Sequence, residues 1–153
     1  MLPKTTDRVA NATADEINKR IRRDILHSVA GCAAGGEAAI QRRLDELDAE
    51  WDTERMLEAN ASALVLAGLG LGALVDRRFY LLPAVVAGFL LQHALQGWCP
   101  PLPVLRRLGV RTQSEIEMER YALKALRGDF RETEKFTGET GAEIRQVIQA
   151  VQK

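Results

Sequence analysis

The chain lacks most of what would announce a chemistry. Its two cysteines, Cys32 and Cys99, lie far apart and form no ligand or redox spacing. There is no basic excess either. The 21 basic residues balance 21 acidic ones for a formal net charge of +0, so no nucleic-acid partner is expected. No phosphate-binding glycine loop, dinucleotide fingerprint, H-E-x-x-H pair or nucleophile elbow occurs. No catalytic residue, metal or cofactor is therefore expected, and the chain reads as a non-enzyme. The first residues (MLPKTTDRVANATADE) have no apolar core, so no secretory signal is read there. No internal repeat is evident and no segment reads as a strand. The expected fold class is all-α.

Charge itself is missing from two long stretches. Between Glu58 and Asp76 there is none (ANASALVLAGLGLGALV), and from Phe79 to Leu105 there is again none. A helix rises about 1.5 Å per residue and a bilayer core is roughly 30 Å thick. The first run covers about 25 Å and the second, ending before Pro100, roughly 30 Å. The expected architecture is a two-span transmembrane helical hairpin over 59–105, with spans near 59–75 and 79–98. Amphipathic cytoplasmic helices are expected on both sides. The apolar hairpin would itself be the insertion signal.

Lipid gives helices no hydrophobic drive to associate, so small residues that allow close approach favour packing. Gly68 and Gly72 share a face of the first span, and Ala84 and Gly88 a face of the second. These are the expected packing positions. Orientation follows from arginine. Arg42, Arg43 and Arg55 precede the spans and Arg106, Arg107 and Arg111 follow them, against Arg77 and Arg78 in the turn. Both termini, and both cysteines, are therefore expected on the cytoplasmic, reducing side, where a structural disulfide is not expected.

In chain order, residues 1–12 read as a disordered polar tail. Residues 13–58 read as an N-terminal cytoplasmic helical hairpin. Thr13 and Glu16 have the spacing of a capping box, and Ile17, Ile21, Ile25 or Leu26, and Val29 then repeat at helical spacing. Lys19, Arg20, Arg22 and Arg23 on the other face allow this helix to lie on an anionic membrane or to pack on protein. The GCAAGG stretch, from Gly31, is expected to break it. A second helix over 37–58, with Ile40, Leu44, Leu47 and Trp51 as its seam, is expected to run into the first span. After the second span, Pro100, Pro101 and Pro103 should end the helix and hold the chain extended. Residues 106–153 read as C-terminal cytoplasmic helices. One is capped by Thr112–Glu115 or Ser114–Glu117 and stops at Gly128; it carries Ile116, Leu123 and Leu126, with Tyr121 and Ala122. A last helix, capped by Thr140–Glu143, carries Ile144, Val147, Ile148 and Val151.

Several strings over 68–111 are distinctive: the glycine-rich Gly68 to Gly72, Leu81–Leu82–Pro83, Gln92, Gly97–Trp98–Cys99–Pro100, and Leu105–Arg106–Arg107–Leu108–Gly109–Val110. This third of the chain resembles the YgaP-like inner-membrane two-helix domain, which is found fused to rhodanese and also alone. The resemblance implies a bacterial inner membrane and a helical hairpin. It implies no chemistry, because sulfur transfer in the fused proteins belongs to the rhodanese domain.

Four residues are candidates for a site. Cys99, near the cytoplasmic interface, becomes a reactive thiolate if Arg106 or Arg107 lowers its pKa; otherwise it is a small residue at a helix end. Gln92, His93 and Gln96 share a broad face on the last turns of the second span, and ionisable residues inside membrane helices are functional candidates. His27 and Cys32 straddle the first helix end without metal spacing. The reading that follows is a small anchoring or interaction protein, held by the bilayer and partnered by further copies of itself or another membrane protein. Two alternatives stand beside it: a thiol or sulfur-handling accessory protein using Cys99, and an oligomeric small-solute transport module.

Overall fold

The computed structural model describes residues 3–131 together with Arg145, Ile148 and Val151. Its elements are α1 (Arg8–Asn11), α2 (Asp15–Gly35), α3 (Glu37–Ala49), α4 (Thr53–Leu74), α5 (Leu81–Gln96), α6 (Leu102–Arg107) and α7 (Gln113–Arg127). A short 3-10 turn, Arg77–Tyr80, leads into α5. No strand occurs among the described residues. The expected last helix and its Thr140–Glu143 cap lie outside the described residues, apart from Arg145, Ile148 and Val151, whose side chains are exposed.

The all-α expectation is met, with two helices long and apolar enough to cross a membrane. The first apolar window falls in the stretch Glu37–Leu74 and, since α3 is charged, within α4; the second is in Arg77–Gln96. Only 22% and 11% of these windows is buried. A helix this apolar in the core of a water-soluble protein is mostly covered. Here Leu66, Leu74, Leu81, Val85 and Leu91 are more than half exposed.

What α4 and α5 bury is a narrow stripe. On α4 it is Thr53, Leu57, Ala61, Gly68 and Gly72, stepping at helical intervals. On α5 His93 is buried, and Leu82, Pro83, Val86 and Leu90 are half-buried. The two helices pack on each other. A Cβ on Gly68 would lie 2.5 Å from Pro83 Cδ, and one on Gly72 would lie 2.7 Å from the Tyr80 ring. Gly68 lets α4 sit against α5, and Gly72 lets it sit against the turn that leads into α5. The expected partner positions differ: Ala84 and Gly88 are exposed, and a Cβ on Gly88 would meet nothing within 4 Å. Proline and leucine, rather than small residues, fill the α5 side.

By compactness the chain divides into two units, one comprising Met1–Asp24 with Glu50–Ile116 and the other Ile25–Ala49 with Glu117–Lys153. In the first, Val9, Leu57, Cys99, Leu102 and Leu105 form a buried cluster, with Ala12, Met56 and Val110 against it. In the second, Ile25 of α2, Ile40, Leu44 and Leu47 of α3, and Leu123 of α7 are buried. The N-terminal stripe thus uses Ile25 and leaves Leu26 68% exposed.

Several local readings change. The tail is not featureless: α1 forms within it, and Val9 is 3% exposed. Thr13 does not cap α2, because its hydroxyl donates to Val9 O at 2.7 Å and accepts from Arg106 Nε at 3.2 Å. Helix α2 continues through Gly31 and stops at Gly35, where Gly36 takes the left-handed conformation (φ 73°). The helix expected over 37–58 is broken at 50–52. Asp52 there accepts a hydrogen bond from Arg55 N at 2.8 Å and so starts a new helix. Trp51 is consequently turned out of the α3 seam and lies under the Arg55 guanidinium, 4.3 Å from its ring centroid. The prolines start α6 rather than hold the chain extended, because a ring that fixes φ suits a first helical turn. Helix α7 begins as expected, with Thr112 N donating to Glu115 Oε2 (2.8 Å) and Glu115 N to Thr112 Oγ1 (3.3 Å), and ends before Gly128 (φ 92°). Its buried face holds Ile116, Glu119, Leu123 and Lys124, while Tyr121 and Leu126 are exposed.

Candidate functional site: the polar knot at one end of α4 and α5

The first unit gathers its buried polar groups where α4 begins and α5 ends. The central group is Arg106 on α6, which is 0% exposed. A guanidinium has five N–H donors, and all are used. Nε donates to Thr13 Oγ1, Nη1 to Val110 O (3.0 Å) and Glu115 Oε2 (2.6 Å), and Nη2 to Asn18 Oδ1 (3.0 Å) and Glu115 Oε1 (2.7 Å). The fork on Glu115 is bidentate, the strongest geometry this pair can adopt. Burial acts to raise the Glu115 pKa, but Arg106 and the Thr112 N–H outweigh it and hold the carboxyl below its ordinary value.

Arg106 knits three segments together. Asn18 accepts from Arg106 and donates to Ala10 O (2.9 Å), tying α1 to α2. Arg20 donates to Arg107 O (2.7 Å), capping the carbonyl end of α6. Thr53, fully buried, donates both its N–H (2.8 Å) and its hydroxyl (2.9 Å) to Arg111 O, and Arg111 Nε donates to Glu50 Oε1 (2.7 Å). The start of α4 is thereby pinned to the segment between α6 and α7.

A second polar group joins α1, α4 and α5. Glu54 accepts from Arg8 Nη2 through Oε1 (2.8 Å), and its Oε2 is 3.1 Å from His93 Nε2. His93 is 4% exposed, and its Nδ1 is buried without a partner among the described residues, as is Arg8 Nε. Arg8 reaches this position because its backbone lies directly on Gly97. That glycine ends α5 in the left-handed conformation (φ 78°), and a Cβ there would be 2.3 Å from Arg8 O. Only glycine meets both demands.

The sequence candidates separate here. Of Gln92, His93 and Gln96, only His93 is buried; Gln92 is partly covered and Gln96 exposed. Cover thus differs among the three along that part of α5. Cys99 is 3% exposed in the apolar cluster with Val9 and Leu102. Burial pushes its thiol pKa up, the Leu102 N–H opposes this, and the Glu54 carboxylate adds to it. Arg106, the expected activator, is spent on Glu115. The environment is that of an inert buried thiol. His27 is exposed and Cys32 partly so, both on α2. Among the described residues no three His, Cys, Asp or Glu side chains gather as metal ligands.

Sequence reasoning passed over Asn18 and Glu115 in the first group and Arg8 and Glu54 in the second. It had read Glu115 only as a capping residue. The second unit holds a comparable pair that it also missed. Glu119 of α7, 0% exposed, accepts from Arg43 Nε (2.8 Å) and Nη2 (3.2 Å) and from the Ser28 hydroxyl (2.5 Å). The carboxylate raises the Arg43 pKa above its ordinary value. Within the second unit this group joins α2, α3 and α7 through Ser28, Arg43 and Glu119.

Compared with protein-family models, with curated proteins and with solved structures, the chain matches none at a significant level. The resemblance of 68–111 to the two-helix membrane domain therefore rests on its motif residues alone.

Proposed function

We propose that this is a small membrane anchoring or interaction protein without catalytic activity of its own. Helices α4 and α5 form its two-span hairpin and the charged helices its cytoplasmic arms. One observation carries the reading: the two most apolar helices leave most of their surface uncovered while charged residues are buried at their end. Burying a large aliphatic side chain is worth about 1.5–3 kcal/mol, so a row of exposed leucines in water is strongly disfavoured and in lipid is at home. The arginine excess on the flanks supports termini on the cytoplasmic side, and the motif resemblance supports a bacterial inner membrane.

Partners would be further copies of the chain or another membrane protein. Crosslinking in native membranes tests this, with a dimer or a defined heterocomplex expected. A monomer with no co-purifying protein would contradict it. Orientation is tested at Cys32, which is partly exposed, whereas Cys99 is too buried to report. A membrane-impermeant maleimide should label Cys32 only after the cells are opened; labelling on intact cells would reverse the topology.

A further inference from the structure

Helix α6 inverts the rule for a short surface helix. Its inward face carries Leu102, Leu105 and the Arg106 that grips Glu115. Its outward face carries Val104, Arg107 and, at its C-terminal end, Leu108. Val104 is 56% and Leu108 76% exposed. A helix whose outer face meets water carries polar side chains there, whereas this one turns aliphatic groups outward on both sides of its arginine. Just before it in the chain, Trp98 is also exposed, three residues beyond the exposed Leu95 at the end of α5.

The charge on this face is unpaired. The Arg107 side chain makes no hydrogen bond or ion pair among the described residues. Arg20 of α2 donates from Nη2 to Arg107 O at 2.7 Å, which brings a second guanidinium to the same end of α6, and it too has no carboxylate partner among the described residues. Glu16 and Asp24 stand one turn to either side of Arg20 on α2, and neither pairs with it. By contrast, Arg8, Arg106 and Arg111 of the same unit each hold a carboxylate. An arginine stem lies on apolar surface while its head reaches outward, and its fork matches a phosphate group. Tryptophan is favoured at the depth of lipid headgroups. The surface of an anionic bilayer offers apolar cover and phosphate together. We propose that the outward face of α6, with Trp98, lies in the headgroup layer, where Arg107 and Arg20 select an anionic phospholipid. This rests on the membrane reading above and adds a headgroup preference to it.

The test is quenching of Trp98 in proteoliposomes of phosphatidylglycerol and phosphatidylcholine. Trp51→Phe in the full chain leaves Trp98 as the only tryptophan. One lipid at a time is brominated high on its acyl chains, at equal mole fraction, and the two quenching curves give the relative association of each lipid beside Trp98. A basic side chain near an anionic surface is worth about fivefold in association. Phosphatidylglycerol should therefore be preferred at least about fivefold. Arg107→Gln should lower the preference about fivefold; its side chain has no partner among the described residues, so the knot stays intact. Salt at about 1 M, which confines charge interactions to about 3 Å, should erase most of the preference. Arg77→Gln, in the turn at the other end of α5, should leave it unchanged. Equal quenching by the two lipids overturns the proposal, as does a preference that survives Arg107→Gln. Flotation of the chain with the liposomes separates the two readings. A chain that does not float and is quenched by neither lipid sinks the membrane reading and the proposal with it, whereas flotation with equal quenching sinks the headgroup preference alone.

Discussion

Helices α4 and α5 and the knot at their end are built on opposite rules. On α4, glycines face inward and large apolar residues outward: Gly68 and Gly72 are buried while Leu66 is 69% and Leu74 88% exposed. In the knot, charge is inside: Arg106 is 0% and Arg111 8% exposed, and every donor of Arg106 is satisfied. On the proposed membrane reading, the contrast reflects a change of surroundings between the two regions. Where the solvent is hydrocarbon, no hydrophobic force holds helices together and close packing must do it. Where the chain meets water, an interior forms, and a buried ion pair with complete hydrogen bonding fixes which segments close it.

The contrast breaks most severely at Arg106. Removing one partner of a buried pair costs about 3–5 kcal/mol, so Arg106→Ala should lower the thermal midpoint in detergent sharply while leaving α4 and α5 helical by circular dichroism. Lysine, a point charge without the fork, should recover only part of the loss. Acid attacks the same pair from the other side. Glu115 binds its proton less readily folded than unfolded, so its contribution is complete above the ordinary carboxylate value of 4.5 and disappears as pH falls below it. An acid titration of the midpoint should show this fall in wild type and a weaker one in Glu115→Gln.

Next come the glycines, in matched pairs. Gly97→Ala puts a Cβ into the Arg8 backbone, whereas Gly109→Ala, also at positive φ (90°), meets open space. Left-handed strain alone costs about 1–3 kcal/mol, so Gly109→Ala should show only that. Gly97→Ala should in addition free the N-terminal segment, read as faster tryptic cleavage at Arg8. In the helices, Gly68→Ile should loosen α4 from α5, and Gly88→Ile, with nothing within 4 Å, should be near neutral. Equal effects at 68 and 88 would remove the packing account. The smallest effect belongs to Arg8→Gln: its pair with Glu54 is partly exposed, at 21% and 35%, and such pairs contribute about 0–1 kcal/mol.

The long-range pattern was legible because it is written in charge-free runs and helical periods. The apolar stretches, the Ile and Leu stripes of α2 and α3, the Thr112–Glu115 cap and the stop at Gly128 need only local sequence. What stayed hidden depends on contacts distant in sequence. Arg106 looks like any flanking arginine until Thr13, Asn18 and Glu115 converge on it. Glu119 sits in a charged helix and gives no sign of being buried by Arg43 and Ser28. Val9 looks like one apolar residue in a polar tail, and only the bare Gly97 explains why the tail is seated. For Gln92, His93 and Gln96, spacing predicts a shared face but not which part of it is covered.

The measurement that bears most directly on the account is alkaline carbonate extraction of membranes from cells expressing the full chain. If α4 and α5 lie in the bilayer, the protein stays in the pellet, and replacing Leu66 and Leu91 with lysine shifts it toward the supernatant. If the wild-type chain is released by carbonate, the exposed leucines are covered by protein rather than by lipid, and the membrane account is wrong.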